Sequence, residues 1–392
     1  MRILHLSTTL RGGAGIAASR LSQALSGFGT ESTIHCLTKE TQISEENVFV
    51  INRSSPLKLR SKIVTYTQSK LVSKPSKSLS VVSVDSIDYK KIDSFNPDVI
   101  NVHSMYNLLN HDSLLKLSNS GYPLVITLHD QRGFTGGCHY SNGCDGFVAA
   151  CNSCPQATFI GKTLVNQIYK NQLKALKSIS NLKVVAPSLW LASLSRKSNI
   201  LGNFPTFVIN NAIPSYQYTS EDDKVTKSIG FIASDLNNPL KNLSLLLQAL
   251  KKLDGHIQNL EVVLIGSGKV DYGLTHVKVS KLEGLTQEQI AKTVSSLHLL
   301  VVPSLEDNSP NVIGEALMNG TRVIGASTGG IPELLENDES LLFDPRDIDG
   351  LASAIMRNLS DYRKADIAVR AEERFSFITI AGKYVELYKS MV

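Results

Sequence analysis

The stretch Val301–Leu335, VVPSLEDNSPNVIGEALMNGTRVIGASTGGIPELL, is the part of the chain with the fewest ways to fold. The apolar run Leu299–Val302 has the length of one buried strand and stops at Pro303. Ser309-Pro310 then reads as a helix start, with Ser309 as N-cap and Pro310 in the first helical position. Val312, Ile313, Ala316 and Leu317 share one face, Asn319-Gly320 ends the helix, and Arg322–Gly325 is the next strand. A strand, a helix and a strand in so short a span make a parallel crossover, and therefore an α/β sheet. Two carboxylates, Asp307 and Glu315, flank the helix start, with Asn308 in the same loop. The first N–H groups, at Asn311 and Val312, make a seat for a phosphate. The alternative is a capped surface helix with two solvated acids.

A chain of 392 residues fits two domains of ordinary size. Its 42% apolar content and formal charge of +5 are those of a globular protein without a disordered tail. No run is long enough for a signal peptide or a transmembrane helix, so the expected location is the cytoplasm.

The N-terminal strand Arg2–Ser7 is followed by a loop containing Gly12, Gly13 and Gly15 and by a helix over Ile16–Leu25. That order lets backbone N–H groups approach a pyrophosphate. Gly13–Ala18 satisfies G-x-G-x-x-A, but Thr8–Gly12 separate it from the strand, and no acid closes the second strand, Ser32–Leu37, cleanly, Glu40 lying beyond it. Further strands at Val48–Ile51, Asp98–His103, Pro123–Thr127, Leu182–Ala186 and Thr206–Ile209 alternate with helices, as in a parallel sheet covered on both faces. Ligands of such sheets bind beyond the carboxyl ends of the strands, so His129 is expected to face a cleft. A structural histidine bonded to backbone is the plainer reading.

Cys138, Cys144, Cys151 and Cys154 follow at spacings of five, six and two residues in a Gly-rich insert, 136–156. Four thiolates suit a closed structural zinc site, which leaves no open position for catalysis; free thiols are the other reading. Cys36, in mid-strand, is a core residue. Arg53–Lys77 holds seven Lys or Arg and no acid, interleaved with apolar residues, a basic amphipathic segment that reads as a surface for anionic lipid headgroups. A solvated basic loop is the alternative, and no stacking aromatics accompany the charge to suggest nucleic acid. Polar Asn210–Lys227 reads as a linker, after which strands and helices restart at Ser228.

Asp307, seven intervening residues and Glu315, then Ala316-x-x-x-Gly320-x-x-Val323-Ile324 and Gly329-Gly330-x-x-Glu333, resemble the donor-sugar signature of retaining glycosyltransferases of family 4. The resemblance covers nearly the whole chain, and the insert is similar to those of members that build bacterial surface polysaccharides (colanic acid, O-antigen, capsule). It implies the GT-B fold: two Rossmann-like α/β domains facing each other across a cleft, with a C-terminal helix crossing back to the first. The domains would be 1–209 plus 377–392 on the acceptor side, a linker at 210–227, and a nucleotide-sugar-binding domain at 228–376. It implies transfer from a UDP- or GDP-sugar to a glycan or lipid-linked oligosaccharide, at the inner face of the cytoplasmic membrane, with no cofactor in catalysis. Lys241 would stabilise the leaving diphosphate, Asp307 would bind sugar hydroxyls, Glu315 the ribose, His129 the sugar, and the Gly12-Gly13 loop would face the cleft. Two departures stand out: the first acid is Asp307 with Glu306 one residue early, and Ser234 or Asp235 and Asn242 stand where the family has Arg and Gly. Two other functions fit the sequence: a Rossmann-type NAD-dependent oxidoreductase, and a non-catalytic nucleotide-sugar-binding assembly protein.

Overall fold

In a computed structural model, which describes residues 1–38, 47–72, 79–80, 83–216, 226–359 and 364–392, the chain divides into two compact units. The first is Met1–Asn210 with Ile380–Val392, and the second is Asn211–Thr379.

The first unit is built on seven parallel strands in the order β3-β2-β1-β4-β5-β6-β7. They are β1 Arg2–Thr9, β2 Glu31–Thr38, β3 Val48–Val50, β4 Val99–Val102, β5 Leu124–Thr127, β6 Leu182–Ala186 and β7 Thr206–Val208. The central strands β4 and β5 are buried along their full length, which is why they read as continuous apolar runs rather than alternating ones. Glu40 lies outside the described residues. The helix after β1 begins at Gly12, four residues earlier than expected, so the glycines form its first turn instead of a free loop. Gly15 allows this: a Cβ there would lie 2.5 Å from both the Leu10 carbonyl carbon and the Thr9 oxygen.

The C-terminal helix, Phe377–Lys389, joins this unit from Ile380 onward. Its stripe of Ile380, Tyr384, Leu387 and Tyr388 is buried, as is Met391 just past its end, and two phenols reach the sheet. Asn101 Nδ2 donates to Tyr388 Oη at 2.7 Å, and Thr127 Oγ1 lies 3.3 Å from Tyr384 Oη.

The second unit has six parallel strands in the order β10-β9-β8-β11-β12-β13. They are β8 Lys227–Asp235, β9 Leu260–Ser267, β10 Lys278–Leu282, β11 Leu299–Val302, β12 Arg322–Ala326 and β13 Leu342–Phe343. The expected linker is shorter than its polar composition suggested. Asn211–Tyr216 belong to the second unit, because Ile213 is buried in its core and bonds to the carbonyl of Phe375 at 2.9 Å. Residues 217–225 of that linker lie outside the described ones.

Candidate active site

Beyond the carboxyl ends of β8, β11 and β12, three loops of the second unit are stitched together. Lys241 ends a short turn, Pro239–Lys241, and its Nζ donates to Asp307 Oδ2 at 2.5 Å. Asn242 follows with φ of 56°, the left-handed conformation that asparagine tolerates better than most residues, so it does the work of a glycine there. Its Nδ2 also donates to the carbonyls of Pro303 and Pro345, at 3.1 and 2.9 Å, which a glycine could not do. On the other side Gly330 N donates to the Asp307 carbonyl at 3.0 Å, and a Cβ on Gly329 (φ 61°) would sit 1.9 Å from that oxygen. Asp307 is therefore clamped from both sides and buried, whereas Glu306 is half-buried.

The helix Asn311–Met318 starts one residue later than the sequence suggested. Pro310, not Ser309, takes the N-cap position with an extended ψ of 116°, and among the described residues no side chain caps the end. The first intrahelical bond is Ile313 N to Pro310 O at 3.0 Å, so the N–H groups of Asn311 and Val312 precede it. Asn311 Oδ1 accepts from Asn211 Nδ2 at 2.8 Å. Glu315, half-buried on the first turn and a half, keeps the register expected of it, and Asn308 is buried beside Asp307. Ser234 and Asp235 bring no cation: the Ser234 carbonyl accepts from Ser267 Oγ, and Asp235 Oδ1 accepts from Asn237 N.

The first unit has its own pocket at the carboxyl edge of β4 and β5, lined by Ala14, His103, Ser104, His129, Asp130 and Arg132 among others. His129 is where the strand-end rule put it. Gly12 and Gly13 open the helix that carries Ala14. Sequence reasoning passed over three neighbours. His103 Nδ1 lies 3.0 Å from His129 Nε2, and His103 Nε2 lies 2.9 Å from His5 Nδ1. Burial lowers the pKa values of these three rings, His5 to about 3 and His129 to about 4. His139, the third neighbour, bonds Asp130 through Nδ1 at 2.6 Å and Ser80 Oγ through Nε2 at 2.8 Å. Burial works to raise the Asp130 pKa, but the charge and hydrogen bond of His139 and the N–H of Arg132 bring it below the usual carboxylate value. His103 follows β4 just as His129 follows β5, so the same rule could have found it.

Residues 226–361 match the family described as Glycosyl transferases group 1. The chain carries a group 1 glycosyltransferase domain. Over 302 residues, 71% of this chain and 68% of the relative, it is 26% identical to an MMP α-(1→4)-mannosyltransferase of Mycolicibacterium hassiacum. It is 22% identical over 288 residues, 68% of each chain, to WcaC, a putative colanic acid biosynthesis glycosyl transferase of Escherichia coli. The whole fold is similar to that of Anabaena HepE in complex with UDP (TM-score 0.62, 17% identity, all of both chains covered). The architecture is GT-B, as the sequence implied.

The group 1 domain contains the Lys241–Asp307 pair, Asn308, Asn311, Val312 and Glu315, so each of the site residues expected in the second half lies within the matched segment. The cysteine insert and the basic segment lie outside it, in the first unit. Cys138, Cys151 and Cys154 are buried and Cys144 is half-buried. Cys154 and Cys138 share a hydrogen bond that lowers the Cys154 pKa, to about 6, and raises that of Cys138. Backbone N–H groups also point at sulfur: Gln156 and Ala157 at Cys154, Gly136 at Cys151, and Gly146 at Cys144 (3.4 Å). The donor set suits a soft metal, yet among the described residues no group of three or more His, Cys, Asp or Glu is arranged to hold an ion. The four-thiolate shell expected from the spacing is not preformed.

The basic segment is a helix, Ser55–Leu71, with Lys58, Arg60, Lys62 and Lys70 exposed; Lys74 and Lys77 lie outside the described residues. Leu59, Ile63 and Tyr66 are 60%, 53% and 66% exposed at spacings of four and three, which leaves one apolar stripe uncovered among the described residues. Among the described residues no helix is long and apolar enough to cross a membrane.

Proposed function

We propose that the chain is a retaining hexosyltransferase that moves a sugar from a nucleoside diphosphate onto a glycan or lipid-linked oligosaccharide in bacterial surface-polysaccharide synthesis. The observation that carries this reading is the clamped Lys241–Asp307 pair beside the helix start at Asn311 and Val312, with Glu315 on the same helix. Breaking the bond from the anomeric carbon to the β-phosphate oxygen puts negative charge on the diphosphate. Lys241 and the Asn311 and Val312 N–H groups are what this loop offers it, with no arginine at 234 or 235. Lys241 therefore has to be shared between Asp307 and the phosphate, and the clamp keeps both within reach of one ammonium. Glu315 accepts from two ribose hydroxyls and Asp307 from sugar hydroxyls. Retention follows if the acceptor hydroxyl attacks from the leaving-group side and gives its proton to the departing phosphate. His129 and its cavity serve sugar hydroxyls in the first unit.

UDP in HepE supports a nucleotide at this fold, and the name of WcaC supports a surface polysaccharide. The exposed stripe of the Ser55–Leu71 helix, framed by four cations, supports residence on an anionic membrane surface. The test is a thermal-shift panel of UDP- and GDP-sugars, where a ligand at a hundred times its Kd adds about 2.7 kcal/mol. Glu315→Gln should weaken the best ligand by one to two orders of magnitude, about 1.4–2.8 kcal/mol, with the melting point of the free protein unchanged. Stabilisation by NAD in place of any nucleotide sugar would overturn the reading.

A further inference from the structure

Arg132 lines the pocket at the carboxyl edge of β4 and β5, within the first unit. It follows β5 in the short helical turn Gln131–Phe134, whose start Asp130 caps: Oδ1 accepts from Arg132 N at 2.8 Å. The guanidinium makes one hydrogen bond among the described residues, from Nε to the Ser80 carbonyl at 3.0 Å. The Tyr106 ring centre stands 6.0 Å from its central carbon, the outer limit of a cation–π contact. Its two terminal nitrogens, each a double N–H donor, bond to no described residue. Nor are they among the buried polar atoms that lack a partner, so they meet solvent.

The charge of this fork is not neutralised in place. Asp130 is the carboxylate set beside it, but the Arg132 backbone N–H holds Oδ1 and His139 Nδ1, at 2.6 Å, holds Oδ2. Among the described residues no ion pair joins the Arg132 side chain to an acid. Burial lowers the Arg132 pKa, with Asp130 and Tyr106 opposing, and an arginine keeps its proton nonetheless. A cation drawn out of water is costly unless it is paired. Waters and neutral hydroxyls can satisfy its N–H groups but not its charge. An oxyanion satisfies both, and two parallel N–H···O bonds match a carboxylate or a phosphate. We propose that Arg132 is an anion fork, and that the first-unit pocket takes a substrate group bearing a carboxylate or a phosphate. The terminal nitrogens hold that group while Nε stays on Ser80. Two sources share this chemistry: the carboxylate of an acidic sugar, and the phosphate that links a glycan to its lipid. The substrate role rests on the glycosyltransferase reading; anion binding does not.

The test uses full-length ¹⁵N-labelled protein at constant ionic strength, and two signals of the first unit. One is the side-chain Nε–H of Arg132, identified by its loss in Arg132→Gln. The other is the backbone N–H of Gly133, which lines the same pocket and reports on wild type and variant alike. In Arg132→Gln the amide nitrogen falls where Nε was, so the bond to Ser80 is kept while the fork and its charge go. The probes are methyl glucuronide, inorganic pyrophosphate and, as the neutral match of the first, methyl glucoside. We expect both signals to shift saturably with glucuronide or pyrophosphate and not with glucoside; the tighter anion names the source. Affinity read at Gly133 should fall roughly ten- to hundredfold in Arg132→Gln, the value of a charge-assisted bond, with the melting point of the free protein unchanged. No shift with either anion, an equal shift with glucoside, or unchanged affinity in the variant overturns the proposal. Should the variant fail to fold, the wild-type contrast between anionic and neutral probes decides. If anions bind here and no nucleotide sugar binds the protein, the fork stands and the proposed function falls.

Discussion

Gly329→Ala should damage the candidate site without touching any group that carries charge. Gly329 has φ of 61°, and a Cβ built on it lies 1.9 Å from the carbonyl oxygen of Asp307 and 3.0 Å from the carbonyl carbon. Backbone, not a flexible side chain, is in the way, so the Asp307 loop has to move. The left-handed conformation alone costs alanine about 1–2 kcal/mol. Displacing the Asp307 carbonyl also removes its 3.0 Å bond from Gly330 N, worth about 1 kcal/mol net. The expected loss is roughly 2–3 kcal/mol, or a midpoint lower by roughly 5–10 °C for a unit of this size. Because Asp307 holds Lys241, affinity for a nucleotide sugar should fall at least tenfold, about 1.4 kcal/mol. Gly13→Ala is the contrasting control: no atom of the described residues lies within 4 Å of its added Cβ and its φ is not positive. It should leave the midpoint unchanged or raise it by the equivalent of about 0.5–1 kcal/mol. Calorimetry and titration with UDP-sugars measure both quantities. A Gly329→Ala protein that melts within about 1 °C of wild type and binds donor equally well would refute the clamp.

Acidification gives a second expectation. His5, His35 and His129 have pKa values lowered to about 3, 4 and 4, and burial is the first cause in each. Below about pH 6.5 the unfolded chain takes up protons that the folded rings refuse. Stability is therefore full above that pH and falls as the pH drops toward 4, with each refused proton costing about 1.4 kcal/mol for every pH step of one. A melting point that stays flat from pH 7 to 5 would contradict this. For the four cysteines we propose structural zinc, with the other thiols closing on the Cys138–Cys154 pair. Protein made with zinc supplied should carry about one ion per chain, chelation should lower its melting point, and four titrating thiols without zinc would refute it. Vesicles test the Ser55–Leu71 helix, where each cation near an anionic surface is worth about 1 kcal/mol and screening acts over roughly 8 Å. Binding to anionic but not zwitterionic vesicles should vanish at high salt or in Lys58→Gln/Arg60→Gln/Lys62→Gln, and no binding at low salt would refute it.

Local pattern determined a good deal of this protein. The apolar runs that became β1, β4, β5, β8 and β11, and the final helix with its stripe through Tyr384 and Tyr388, follow from periodicity and breakers, because buried parallel strands and amphipathic helices write themselves into short windows. So did the helix beside Asp307 and Glu315, and the position of His129 past a strand end. Other things depend on chain segments far apart in sequence. Asp307 rather than Glu306 is the buried acid because Lys241 and Gly330 reach it from loops 66 residues before and 23 after. Asn242 can stand where the family has glycine because its φ is positive and two distant prolines accept from it. Ile213 belongs to the second core because Phe375 bonds it, although its surroundings read as linker. The contacts among His5, His103 and His129 exist through the register of β1, β4 and β5, and a one-residue slip would turn these rings to opposite faces. Composition and spacing carry no record of register, so only the tertiary structure could decide which histidines touch.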